Sequence, residues 1–228
     1  MRTTLLSLAV IFLLISPDAI SQDKVMQEPS FAVLAGINLQ DLKDQQLKEG
    51  WFGNDLNFDF NGYHAGINIQ IPVLTKIFLQ PGFLISQKRN KDVQGLSSLE
   101  YRISYFEIPI NFVFKTLGSI GYFMAGLGPY AGYAINGKAF FEDNSQTTKS
   151  KIEFKNVIKN DDPLTVYYIR PFDAGGNIFL GYELQEGFFM QLNIQIGMTN
   201  MYPEDNRLQG NNLKLKNSVF GISAGYRF

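Results

Sequence analysis

Residues 188–199 read Phe188-Phe189-Met190-Gln191-Leu192-Asn193-Ile194-Gln195-Ile196-Gly197-Met198-Thr199. Every second position from Phe188 to Met198 is apolar, and Gln191, Asn193, Gln195, Gly197 and Thr199 fall between them. Period two places the two sets on opposite faces of an extended strand. The last residues repeat the pattern, with Phe220, Ile222, Ala224, Tyr226 and Phe228 against Gly221, Ser223, Gly225 and Arg227. Upstream, Tyr63, Ala65, Ile67, Ile69 and Ile71 alternate with His64, Gly66, Asn68 and Gln70. Phe31, Val33, Ala35, Ile37 and Leu39 alternate with Leu34, Gly36, Asn38 and Gln40.

The polar faces decide the solvent. They carry Gly, Asn, Gln and Ser along the strand centres, with few Lys or Glu, whereas a soluble sandwich shows charge on its outer face. Apolar faces ending in aromatics, opposed to small polar ones, predict strands that face lipid on one side and a lumen on the other. A secreted lipocalin-like barrel is the alternative and reverses the two faces.

Eight strands follow, at about 31–39, 62–71, 77–88, 99–115, 120–136, 170–183, 188–200 and 216–228, with ends good to roughly two to four residues. The fold class is therefore all-β, an eight-stranded antiparallel up-and-down transmembrane β-barrel. With both termini in the periplasm, the connections 40–61, 89–98, 137–169 and 201–215 lie outside, and they are the longer ones, as such barrels require. Charge runs fall in these connections and read as solvated loops: Asp41–Asp44, Lys88–Asp92, Glu142 through Lys151, and Asn160–Asp162. Within the third, 151–157 and 164–170 are expected to form a hairpin.

The first 21 residues form an address. Arg2 precedes an apolar run of eleven residues, Leu5–Ile15, too short to span about 30 Å of hydrocarbon as a helix. Pro17 and the small residues Ala19 and Ser21 follow, predicting a signal peptide at 1–21 and one barrel domain at 22–228.

Composition narrows function further. Lys and Arg total 20 and Asp and Glu 21, a balance that leaves no strongly basic surface for nucleic acid. With no cysteine and one histidine, disulfide frameworks, thiolate chemistry and multi-histidine metal sites are excluded. No cofactor is expected.

Four stretches carry a family resemblance: Tyr105–Ile110, Gly126–Tyr130, Asp173–Asn177 and the ending Ala224-Gly225-Tyr226-Arg227-Phe228. In this order, the chain resembles the porin-type outer-membrane β-barrels of Gram-negative bacteria. The resemblance implies an outer-membrane location, lipid and the assembly machinery as partners, and Tyr226 and Phe228 as the terminal assembly signal. It implies no activity. A sixteen-stranded diffusion porin needs about 160 residues in strands alone, whereas an eight-stranded barrel is just wide enough for side chains to fill.

Alternation turns Glu107, Asn111, Asp173, Asn177, Glu183 and Arg227 inward as a lumen polar network, with Arg227 and Lys115 placed to neutralise carboxylates. Catalysis would need a base beside a nucleophile. His64 is the one histidine, and antiparallel pairing of the second and third strands would bring Ser86 near it. The favoured function is a surface-exposed structural or interaction barrel acting through its extracellular loops on an unidentified ligand or envelope protein. A narrow channel or envelope-transport component is the alternative, and a lipid- or peptide-modifying enzyme using His64 is the remote one.

Overall fold

Strands β1 (Ser30–Asp41), β2 (Gly62–Leu74), β3 (Ile77–Gln94), β4 (Ser97–Leu117) and β5 (Gly121–Asp143) pair in sequence order. After three strands that lie outside the ring, β6 (Gln146–Phe154), β7 (Val157–Ile158) and β8 (Tyr167–Ile169), the series resumes with β9 (Phe172–Leu184) on β5 and β10 (Phe188–Gly197) on β9. A two-residue strand, β11 (Glu204–Asp205), precedes β12 (Ser218–Arg227), which pairs with both β10 and β1 and closes an antiparallel ring of eight. The computed structural model describes residues 28–41, 62–94, 97–143, 146–207 and 215–228. The expected signal segment, the cleavage before Gln22 and nearly all of the first outside connection lie outside the described residues.

Alternation sets the wall. Phe106, Ile108, Ile110 and Phe112 on β4 are exposed outward, while Glu107, Asn111 and Val113 are buried inside. On β10, Phe188, Met190, Leu192 and Ile196 point out and Phe189 points in. A closed ring leaves no strand edge within the apolar band.

Three short turns join strands at one end, after Leu74, Leu117 and Leu184. At the last, Gly187 sits at φ 96°, a left-handed conformation that favours glycine, and a Cβ there would meet the Arg227 carbonyl oxygen at 2.2 Å.

Two expectations about the opposite end are corrected. The 89–98 connection is almost entirely strand, because β3 and β4 continue as a hairpin whose register runs on to Gln94↔Ser97. The anticipated hairpin of 151–157 with 164–170 does not form either. Instead β6 folds back on β5, with Lys138↔Lys151 through Asp143↔Gln146, and β8 pairs with β6 in parallel.

Past the apolar band the faces exchange character. On β4, Arg102 is exposed outward while Ile103 and Tyr105 are buried inward. On β5 a bulge at Ile135 does the same, since Tyr105 pairs with Ala134 and Ser104 with Asn136. One extra residue flips every later side chain, so Tyr133 and Lys138 both face out and Ala139 faces in. Ile103, Ala139, Ile152, Ile169 and Met201 then pack as an apolar cap on the inner side of this water-exposed extension. At the turn end, Ala32, Leu34, Phe78, Val113, Met124, Phe179 and Phe189 form a second apolar cluster inside the ring. The Phe179 and Phe189 rings lie over their cross-strand partners Gly126 and Gly225, where added Cβ atoms would approach ring carbons to 2.2 and 2.4 Å.

Candidate functional site

Between the two apolar clusters the lumen is filled by polar side chains in three groups. Nearest the turn end, Glu183 on β9 receives Lys115 Nζ at 2.6 Å on one carboxylate oxygen and Arg227 Nε at 2.9 Å on the other. Lys115 also donates to Gln70 Oε1 at 3.1 Å, Gln70 donates to Gln80 at 2.7 Å, and Arg227 donates to Asn68 at 3.2 Å. The cations rest on aromatic faces, Lys115 over Phe78 and Tyr122 and Arg227 over Phe189.

The middle group is a directed chain of hydrogen bonds. Asn38 spends its amide N–H on the Gln87 carbonyl at 2.9 Å, so its oxygen faces His64 Nδ1 at 2.9 Å. That acceptor places the imidazole proton on Nδ1 and leaves Nε2 to accept from the Ser223 hydroxyl at 2.7 Å. Ser223 Oγ in turn accepts from Asn193 at 2.6 Å, and Asn193 Oδ1 accepts from Gln191 at 2.7 Å. Gly36 makes room for the ring, because a Cβ there would lie 2.5 Å from His64 Nε2. A cavity of about 60 Å³ adjoins this chain, bordered by the polar Asn68, Gln80 and Glu107 and the apolar Leu34, Ile67 and Leu84 among others. It is large enough for a few waters and for nothing bulkier.

The outer group is anionic. Glu107 lies 2.7 Å from Lys88 Nζ, with Gln195 donating to its second oxygen at 3.1 Å. Asp173 is 3.6 Å from the same Lys88 and accepts from Tyr130 at 3.1 Å, Asn217 at 2.9 Å and Thr199 at 2.9 Å. Lys88 Nζ sits 5.1 Å from the centroids of both Tyr105 and Tyr130. Asn177 bonds Asn111 at 3.2 Å on the lumen side.

Of the residues that alternation turns inward, Glu107, Asn111, Asp173, Glu183 and Arg227 are buried, and Asn177 donates to Asn111. They do not form one network, since Glu183 and Arg227 belong to the turn-end group and Glu107 and Asp173 to the outer one. Lys88, expected in a solvated charge run, is 4% exposed and is the outer group's cation. The alternation that turns Ser86 inward already assigns Lys88 to the same face, and the adjacent Arg89-Asn90-Lys91-Asp92 run masked it. His64 and Ser86 are register partners, as expected, yet the imidazole bonds Ser223 across the lumen, while Ser86 sits 3.5 Å from Asn38. Tyr226 and Phe228 project outward at the turn-end rim, where Tyr226 meets Phe188 and Phe228 edge-on at 4.8 and 4.9 Å.

Outside the ring, Lys155 donates to Asp162 at 2.6 Å and the Lys159 N–H does so at 2.9 Å. These bonds hold the Asp162 carboxyl below its ordinary value and the Lys155 ammonium above its own.

The fold is similar to that of Ail, the attachment invasion locus protein of Yersinia pestis. Identity to one crystal structure of Ail is 13%, over 90% of this chain and 100% of that chain, with a TM-score of 0.40. A second Ail structure, in complex with the heparin analogue sucrose octasulfate, gives 13% over 88% and 97%, with a TM-score of 0.36. A search of curated proteins returned no significant relative. The family model described as an outer membrane protein beta-barrel domain matches residues 21–202. With the closed ring of eight strands and its apolar outer band, that match identifies the chain as a member of this β-barrel family of the bacterial outer membrane.

Proposed function

We propose that this protein is a non-conducting barrel that works at the cell surface as a structural or interaction protein, through the extension of β3–β6 and the connections around it. One observation carries the reading: the lumen is blocked in series. An apolar cluster, two buried ion-pair groups and an apolar cap stand along the axis, and Lys88, Lys115 and Arg227 match Glu107, Asp173 and Glu183 in number. Moving an ion through would mean breaking buried pairs, at about 3–5 kcal/mol for each charge left unpaired. Heat-modifiable, folded protein in planar bilayers is expected to show no openings. Reproducible single-channel events would replace this reading with the narrow-channel one.

The same proposal holds that residues 1–21 are removed as a signal peptide, that 22–228 form one domain, and that Tyr226 and Phe228 address the assembly machinery. The outward position of both aromatics at the turn-end rim supports the last point. Deleting Phe228 is expected to lower assembled barrel while synthesis continues; unchanged assembly rejects the role.

An enzymatic reading has one feature in its favour, the Ser223–His64–Asn38 order of hydroxyl, imidazole and orienting amide. Ser223 is 1% exposed and the adjoining cavity is about 60 Å³, which leaves no room for a lipid or peptide beside the hydroxyl. The chain of bonds therefore serves structure. A fluorophosphonate probe is expected to leave Ser223 unlabelled in the folded protein, and labelling there would move the protein into the hydrolase class.

A further inference from the structure

The strand registers place four cations side by side. Arg89 on β3 opposes Arg102 on β4, Arg102 opposes Lys138 on β5, and Lys138 opposes Lys151 on β6. Residues directly opposite in a sheet share a face. This face is the outer one, because Lys88, Ile103, Ala139 and Ile152, the neighbours in sequence, are all buried on the inner side. Like charges directly opposite one another destabilise a sheet, and here three such pairs are consecutive.

The carboxylates nearby do not cancel the row. Glu100 is shared between Arg89 at 2.6 Å and Arg102. Glu142 accepts from Ser98, and Glu153 lies 3.8 Å from Lys155. Among the described residues no carboxylate forms a salt bridge with Lys138 or Lys151. One row further out, Lys149 adds a fifth cation beside Phe140, whose ring also receives the Arg102 guanidinium at 4.7 Å.

Height selects the partner. The outermost apolar row of the wall is Ile85–Phe106–Tyr133–Phe172, consecutive in register and exposed to the bilayer. Arg102 is four residues beyond Phe106 on the same strand and face. That is roughly 13 Å along the strand, or about 10 Å along the membrane normal at the usual tilt. The headgroup layer occupies roughly 5–8 Å beyond the hydrocarbon, and long basic side chains bend back toward it. Between the two rows stand Gln87, Ser104, Asn136 and the exposed bulge residue Ile135.

We infer that the Arg89–Arg102–Lys138–Lys151 row is a docking surface for the phosphate groups of outer-leaflet lipids. Each phosphate relieves the repulsion between neighbouring strands and gains two cations, Arg offering planar two-point contact and Lys a point charge. The inference is independent of whether the lumen conducts.

The test compares wild type with Lys138→Gln/Lys151→Gln, which spares the Glu100 pairs. Both are refolded in phosphatidylcholine vesicles with and without a minor fraction of phosphatidic acid. Native mass spectrometry reads the preference for phosphatidic acid over phosphatidylcholine, and heat-modifiability on gels reads stability. The variant is expected to lose about tenfold or more of that preference, and to unfold in phosphatidylcholine alone no earlier than wild type, since two like charges have gone. An unchanged preference overturns the inference. So does earlier unfolding of the variant in phosphatidylcholine, which would make the row an ordinary structural element. Heparin binding that depends on the two lysines, without phosphatidic acid preference, would assign the row to a soluble polyanion and overturn the lipid reading. Equal competition by inorganic phosphate would reduce it to a free-anion site.

Discussion

The Ser223 hydroxyl lies 2.7 Å from His64 Nε2, joining residues 159 positions apart across the barrel interior. The bond ties the last stave to the second, and Asn38 and Asn193 continue it to the first and the seventh. His64→Ala would leave Asn38 Oδ1 without its imidazole donor and the Ser223 O–H without its acceptor, while Ser223 Oγ keeps Asn193, at about 1–3 kcal/mol for each buried bond left unmade. The expected result is a lower unfolding temperature in the heat-modifiability assay with an unchanged barrel spectrum. Equal thermal stability would show that cavity water replaces the imidazole without cost.

Glu183 is the common anion of Lys115 and Arg227, all three nearly buried. Glu183→Gln should cost about 3–5 kcal/mol, because it leaves two buried cations without their carboxylate. Lys115→Met should cost less, since Arg227 still pairs with the carboxylate. Urea titration in vesicles checks the order, and a reversed order would mean that Lys115, not Glu183, organises the group.

Lipid and lumen faces are separable at adjacent positions on β9. Ile178 is 50% exposed on the outer wall, and Asn177 donates inward to Asn111. Ile178→Arg should impair assembly by roughly 2–4 kcal/mol if it lies near the bilayer midplane. A fluorophore at 178 should be strongly quenched by brominated lipids and one at 177 weakly. Quenching at neither position would place the apolar band in something other than a bilayer.

The Lys155–Asp162 bridge gives the outer connection a pH window. Asp162 is depressed below 3.8, so its contribution is complete above that value and is lost as pH falls through the lower folded one. Lys155 is raised above 10.5, so its share is complete below 10.5 and is lost as pH rises through the higher folded one. Proteolysis of residues 155–170 in intact vesicles should therefore be slow between these limits and faster outside them. Asp162→Asn should remove the acid limb of that profile.

Much of the wall was legible because lipid imposes one rule on every strand. Phe188 to Met198 and Phe106 to Phe112 alternate as a two-faced wall must, and no charge interrupts their outward sets. Legibility stopped where the solvent changes. From Ser104 outward β4 keeps its period but water reverses its faces, so the strand expected at 99–115 includes Glu100 and Arg102 without showing that their outer face has left the lipid. On β5 the bulge at Ile135 shifts the phase by one, and the expected strand stops at 136 although β5 runs on to Asp143. The cap escaped for a different reason: Ile152, Ile169 and Met201 lie far apart in the sequence, and only pairing brings them together. Alternation puts His64 on the polar face beside Ser86, but its partner Ser223 is set by ring closure, which neighbouring strands in sequence do not encode.

Ring closure also dictates an order of events. The seam between β1 and β12 runs from Ala32↔Arg227 to Asp41↔Val219, joining the first stave made to the last. The interior of the finished barrel admits side chains and no second strand, so the β4–β5–β6 sheet has no passage through it. With the extension at the cell surface, as proposed above, that sheet must reach the exterior while the seam is still unzipped. Any change that hastens pairing of the two terminal staves, before residues 97–154 have crossed, would trap the surface extension on the wrong side of a barrel that is otherwise correctly made.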